Sequence, residues 1–205
     1  MTAQALATVI AALPFLLRGA LRTIEVVVLA LILGVVCGLV GGFAKLSHRR
    51  GLRAAAAVYV SVIRGTPFIV QLFFVYYALP QVGVPVPAMV AAVGSLAFYS
   101  GAYQTEIVRG AVQSVDRRQL EAGLALGLSR WQAMRYVVFP QALLRMLPPL
   151  GNEFVALTKN SALVSLVTVQ ELFLSAQMVI SSTFQDFAIF MTIGAMYYAM
   201  TTTVG

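Results

Sequence analysis

Charge, histidine, cysteine and lysine are all scarce in this sequence. Only 10% of its 205 residues are charged and 60% are hydrophobic, whereas a soluble domain carries about 25% charged residues. A core could not hide that much apolar surface, so lipid is the expected solvent. One cysteine, Cys37, excludes a disulfide framework and reads as a buried thiol. One histidine, His48, stands in the polar stretch KLSHRRGLR and cannot build a metal site alone. No Gly-x4-Gly-Lys-Ser/Thr loop is present to cradle phosphates, because the only lysines, Lys45 and Lys159, follow Ala44 and Thr158. The start, MTAQALATVI, lacks the basic region of a cleaved signal and reads as mature sequence. No internal repeat and no low-complexity tract stands out.

What is present is long uncharged runs. Val26 to Ala44 carries no charge over 19 residues, Gly65 to Thr105 none over 41, and Phe187 to Gly205 none over 19. A spanning helix needs about 20 apolar residues, so the longest run holds most of two spans with a turn at Pro80, Pro85 and Pro87. The net charge of +7 is gathered in two places. Lys45, Arg49, Arg50 and Arg53 form one basic loop, and Arg109, Arg117, Arg118, Arg130 and Arg135 form another. The preference of basic loops for the inner side places both in the cytoplasm and the proline turn outside. That explanation removes the need for a nucleic-acid partner.

The fold class that follows is an all-α membrane protein of about five transmembrane helices, one transmembrane domain over 1–205. The spans are expected at Ala20 to Ala44 running inward, Ala54 to Leu79 outward with a break at Arg64–Pro67, and Ala88 to Val112 inward. Then come Gln141 to Lys159 outward and Asp186 to the chain end inward. This places the N-terminus outside. Arg18 and Arg22 flank the outer end of the first span and are expected to snorkel to the headgroups. Asn160 to Gln185 holds Glu171 among Ser, Thr and Gln residues and is expected as an outward-side helix or re-entrant segment packed on protein. The last span ends in TTTVG without a basic anchor, which leaves open that the natural chain continues past Gly205.

The long loop at 113–139 obeys local rules. Gln119 to Leu126 reads as a helix ended by Gly127. Ser129 caps the next helix, and Gln132 three residues on completes a capping box. Pro140 fits the first turn of the fourth span. Leu120, Leu124, Leu128 and Trp131 recur at the spacing of an amphipathic face. Three readings compete: a loop resting on lipid headgroups, a DNA-binding helix-turn-helix, and a short helix offered to a partner's groove. The DNA reading fails because a loop tethered between two spans has no room for the third helix and dimer geometry such domains need.

The loop resembles the signature of ABC importer permeases of the polar amino-acid group, the histidine, glutamine, arginine and opine type. That signature reads Glu-Ala-Ala, three residues, Gly, nine residues, Ile, one residue, Leu-Pro. Here stand Glu121, Ala122, Gly123, then Gly127, then Val137, Val138, Phe139 and Pro140, with the spacing intact. Gly123 in place of alanine loosens the helix by about 1 kcal/mol. Arg64 to Pro80, Ser100 to Val115 and Leu147 to Leu172 resemble three further blocks of the group, with Arg118 and Asn160 departing where glycine and aspartate are usual. The resemblance implies a type I ABC importer permease in a bacterial inner membrane, with no cofactor on this chain. ATP and magnesium would sit on separate ABC ATPase subunits docked at the loop, on Glu121, Ala122, Gly123, Gly127, Leu128, Ser129, Arg130 and Trp131. A periplasmic or lipid-anchored amino-acid-binding protein would deliver substrate, and a second copy or sister permease would complete the dimer in membrane lipid.

Some polar residues lie inside the spans. Glu153 sits 13 residues past Pro140, about 20 Å along a helix, and a carboxylate at that depth costs about 2.5–3.5 kcal/mol on insertion. Two readings stand. Either Asn152 and Glu153 line the translocation path with lesser contributions from Thr66 and Gln71, or Glu153 forms an internal ion pair with Lys159 or an arginine of another span. Glu106 with Arg109, and Arg22 with Glu25, are expected to pair locally. The break at Arg64–Pro67 either lines the path or only bends its helix. A stand-alone ion-coupled carrier is the alternative function, and it would need paired deep acids. An acidic lining would favour a cationic amino acid.

Overall fold

The structure, a computed structural model, describes residues 3–203, and within them every regular element is helical. Nine α-helices follow in order among the described residues: α1 Ala3–Leu46, α2 Arg50–Gly65, α3 Phe68–Phe73, α4 Ala88–Ser114, α5 Arg117–Ala125, α6 Arg130–Ala133, α7 Phe139–Asn160, α8 Leu172–Thr183 and α9 Asp186–Thr202. A π turn at Phe74–Ala78 and a 3-10 turn at Leu79–Val82 extend α3. A second π turn at Met134–Val138 joins α6 to α7, and a 3-10 stretch at Ser161–Val167 follows α7.

The core is an α1–α4 pair. Gly34 meets Ser100 and Gln104, Gly38 meets Gln104, and Gly42 meets Val108, so the two helices advance in the same direction. The pair is close because α1 has no side chain at these points: a Cβ on Gly38 would lie 3.0 Å from the Gln104 backbone. Small residues at helix contacts are the usual means of close packing in lipid. The α7 helix runs the other way along α4, with Arg145 bonded to Ser114 at one end and Glu153 beside Ser100 further along. Val108, Ala111 and Val112 of α4 pack there with Val138, Ala142 and Met146. Leu16 and Ala20 of α1 bury against Leu172, Ala176, Ile189 and Ile193 of α8 and α9.

Four of the expected spans each fall on one helix and the second falls on two, α2 and the α3 segment; several boundaries also differ. The first span is the second half of a 44-residue helix that starts at Ala3, not Ala20. Arg18 and Arg22, the charges used to set its start, lie inside the helix, as does Pro14. The second span breaks where expected, with a bend of 103° between α2 and the α3 segment. Pro67 removes a backbone donor at that break. By length and apolarity alone, one helix among the described residues, α1, qualifies as a span, and the number rises to three if each of the two bent helix pairs counts as one. Ser95, Ser100, Gln104 and Thr105 make α4 less apolar, and all four are buried against protein. The last span is described for 17 residues, and Val204 and Gly205 lie outside the described residues. Between Asn160 and Gln185 the expected packed segment is the 3-10 stretch, a left-handed Thr168 and α8, whose N-terminus is capped by Glu171.

Candidate functional site

Two regions carry the residues singled out by the sequence. The first is the α5–α6 hairpin. Gly127 has φ of 82°, the left-handed conformation expected of it. Its N–H donates to the Leu124 carbonyl (3.0 Å) and the Leu128 N–H to the Gly123 carbonyl (3.1 Å), which is the Schellman pattern of helix ends. Ser129 Oγ accepts from the Gln132 N–H (3.3 Å) while Gln132 Oε1 accepts from the Ser129 N–H (2.8 Å), so the capping box is complete. Gly123 is buried, and an added Cβ would sit 3.1 Å from Ala133 Cβ. An alanine there would part the two short helices by a few tenths of an ångström, so this glycine tightens the hairpin even as it weakens the helix.

The hairpin's apolar face divides. Leu120 packs onto the C-terminal end of α4 and the N-terminal end of α7, whereas Leu124, Leu126 and Trp131 are exposed, Leu126 by 83% and Trp131 by 67%. Ala122 is exposed, and so is Glu121, 3.9 Å from Arg117. Leu128 is half-buried and Arg130 exposed. The exposed Leu and Trp side chains on this capped turn form an apolar knob, flanked along the chain by exposed Arg117, Arg118, Arg130 and Arg135. Lys45 and Arg109 both pair with Glu106, the arginine at 2.8 Å, and the Lys45 pair ties the C-terminal end of α1 to α4. The Arg22–Glu25 pair also forms as expected, at 2.7 Å.

The second region lies deep in the helical body. Glu153 is 9% exposed and turns from α7 toward α4, where Ser100 is the hydroxyl beside its carboxyl. Ser100 Oγ in turn accepts from Gln104 Nε2 at 2.7 Å. One turn away, the hydroxyls of Tyr99 and Tyr103 lie 3.1 Å apart. The Arg64 guanidinium stands 4.8 Å from the centre of the Tyr103 ring, a cation–π distance. Tyr99 lies within electrostatic reach of both Glu153 and Arg64. An acid and a cation therefore both lie near the tyrosine pair.

This arrangement corrects the ion-pair reading. Glu153 takes part in none of the four ion pairs among the described residues. Six residues along a helix turn Lys159 about 120° away, and Lys159 lines a cleft with Tyr197 and Tyr198 of α9. Asn152 is exposed while Glu153 is buried, so the two neighbours are not brought to one point. Thr66 and Gln71 meet at the α2 break: Gln71 Nε2 donates to the Ile63 carbonyl (2.8 Å), the Thr66 carbonyl (3.1 Å) and Thr66 Oγ1 (2.8 Å). Those groups staple the bend that follows Arg64, an exposed residue whose guanidinium reaches the Tyr103 ring. Tyr99, Ser100, Tyr103 and Gln104 were not singled out by the sequence; the four-residue spacing of two tyrosines inside an uncharged run was the available signal.

Comparison with known proteins gives one consistent result. The sequence model of the family described as binding-protein-dependent transport system inner membrane component matches residues 30–205. The glutamine transport system permease protein GlnP of Escherichia coli (strain K12) is 42% identical over 192 residues, covering 93% of this chain and 88% of that one. The L-cystine transport system permease protein TcyB of Bacillus subtilis (strain 168) is 39% identical over 164 residues, covering 80% and 70%. A crystal structure of an amino acid ABC transporter with histidines superposes with a TM-score of 0.92 at 39% identity, covering 100% of this chain and 95% of that one. Inward-facing MetNI methionine ABC transporter superposes at 0.75 with 20% identity, a likeness of fold.

Proposed function

The chain belongs to the family of inner-membrane components of binding-protein-dependent transport systems, and from that membership we propose a division of its surface into an engine mount and a substrate site. It is the permease subunit of an amino-acid ABC importer. It is not itself an enzyme, because hydrolysis of ATP belongs to a separate ATPase subunit. The α5–α6 knob seats in an ATPase groove, with exposed Leu126 and Trp131 as its apolar anchors. Two such knobs on a permease dimer transmit ATPase closure to the spans, which rock between inward and outward access. The knob and both basic loops then face the cytoplasm. A binding protein delivers substrate to the opposite face.

The observation that carries the substrate reading is the pairing of opposite charges about Tyr99 and Tyr103. An amino acid is a zwitterion. Arg64 suits its α-carboxylate, and Glu153 suits its ammonium group or a cationic side chain. The tyrosines supply apolar walls with hydroxyls between them. Polar amino acids fit this site better than a purely apolar ligand would.

The test is reconstitution with the partner ATPase and binding protein across a panel of amino acids. ATP hydrolysis stimulated by one polar amino acid, and abolished when Gly127→Val strains the turn, supports the reading. Coupling that survives Gly127→Val would overturn the role given to the knob. Uptake by the chain alone, driven by an ion gradient, would favour the carrier alternative.

A further inference from the structure

Beside the knob, and sharing Arg130 and Trp131 with it, lies a cleft to which the transport reading gives no ligand. It has a volume of about 710 Å³ and opens between the inner end of α1, the α1–α2 turn and the start of α6. His48, Arg49 and Arg130 stand on its rim. None of the ion pairs among the described residues includes these side chains, and no acidic residue lines the cleft. Nearby Lys45, by contrast, is occupied by Glu106. The two arginine cations on the rim are therefore left without an ion-pair partner among the described residues.

The floor is apolar. Phe43, Leu46 and Met134 line it, and the Phe43 ring packs 5.5 Å from that of Phe139. Phe43 also ends a stripe on one side of α1, after Val36 and Val40, all three exposed. Such spacing keeps the three on one helix face. Trp131 completes the lining, and an indole at a membrane interface presents an apolar body and a polar edge together.

We propose that this cleft binds an anionic phospholipid, with its phosphate on Arg49 and Arg130 and its first acyl methylenes along Phe43, Val40 and Val36. A soluble anion would use the rim alone and gain nothing from the apolar floor or the stripe. Basic pockets between spans at the inner leaflet suit anionic headgroups. The lipid would bridge the α1–α2 turn to the first residues of α6, so it would brace the knob from the membrane side. The cytoplasmic placement rests on the transport reading; binding itself requires only that the cleft meet a leaflet.

Trp131 is the only tryptophan in the chain, so its fluorescence reports on this cleft directly. The full chain is placed in phosphatidylcholine vesicles of symmetric composition, where either orientation meets the same lipid. Phosphatidylglycerol with brominated acyl chains is compared with brominated phosphatidylcholine at equal mole fraction. The expected result is half-quenching by brominated phosphatidylglycerol at a several-fold lower mole fraction. Arg49→Gln should weaken that preference about fivefold, and the Arg49→Gln, Arg130→Gln pair should remove it. Quenching of the variants by brominated phosphatidylcholine checks that they still insert. Equal quenching of the unaltered chain by the two lipids overturns the proposal, as does a preference abolished by millimolar inorganic phosphate, which would mark a soluble-anion site. Either failure leaves the uptake test of the transport reading untouched.

Discussion

Two acids are buried in the same helical body and are held in opposite ways. Glu171 is fully buried and its carboxylate is nearly saturated: the Leu174 N–H and the Tyr197 hydroxyl donate to it at 2.8 Å each, and the Thr23 hydroxyl lies 3.3 Å away. Thr23 also accepts from the Leu172 N–H at 3.1 Å. This knot fastens α8 to α1 and α9. Glu153 has one hydroxyl beside it, then two phenols and a guanidinium beyond. A carboxylate offers about four acceptor positions. Glu171 has spent its positions on the fold, while Glu153 keeps capacity for a ligand. Burial alone does not separate a structural acid from a functional one; the partners do.

Substitution at each acid should sharpen that contrast. The largest effect is expected from Glu171→Ala, which strands the Tyr197 hydroxyl and the N-terminus of α8 and should destabilise the fold by about 3 kcal/mol or more. A thermal melt in detergent reads this, and an unchanged midpoint would erase the distinction. Next comes Arg64→Gln, which leaves packing in place but removes the carboxylate partner; uptake should fall about tenfold or more with the melt unmoved. Equal losses of stability and uptake would make Arg64 structural. The smallest effect separates two phenols. Tyr197→Phe should cost about 1 kcal/mol of stability, whereas Tyr103→Phe should raise the substrate concentration for half-maximal uptake a few-fold and spare the melt.

The sequence revealed the two regions unequally, for a physical reason. Gly127, Ser129 and Gln132 act within one turn of chain, so local rules find them, and the hairpin follows the expected pattern. Pro67 likewise announces the α2 break. The extent of α1 was not legible, because charged residues mark the membrane surface and say nothing of where a helix ends. The deep site depends on three helices. Arg64 and Tyr103 become neighbours only after the 103° bend swings α2 across α4. Glu153 was conspicuous as a charge, but its lack of an ion-pair partner is a property of packing. Glu171, one more acid in an apolar stretch, was noted as a difficulty and proves to be bonded to α1, α8 and α9 at once.

The most direct measurement of the central claim is amino-acid uptake into proteoliposomes holding the complete transporter with Glu153→Gln, paired with the melt of the same variant. Glutamine keeps the volume and a hydrogen bond to Ser100 but loses the charge. The account predicts uptake lowered about tenfold or more, substrate-stimulated ATP hydrolysis lowered with it, and an unchanged melting midpoint. Uptake and stimulation equal to the unaltered transporter would contradict it.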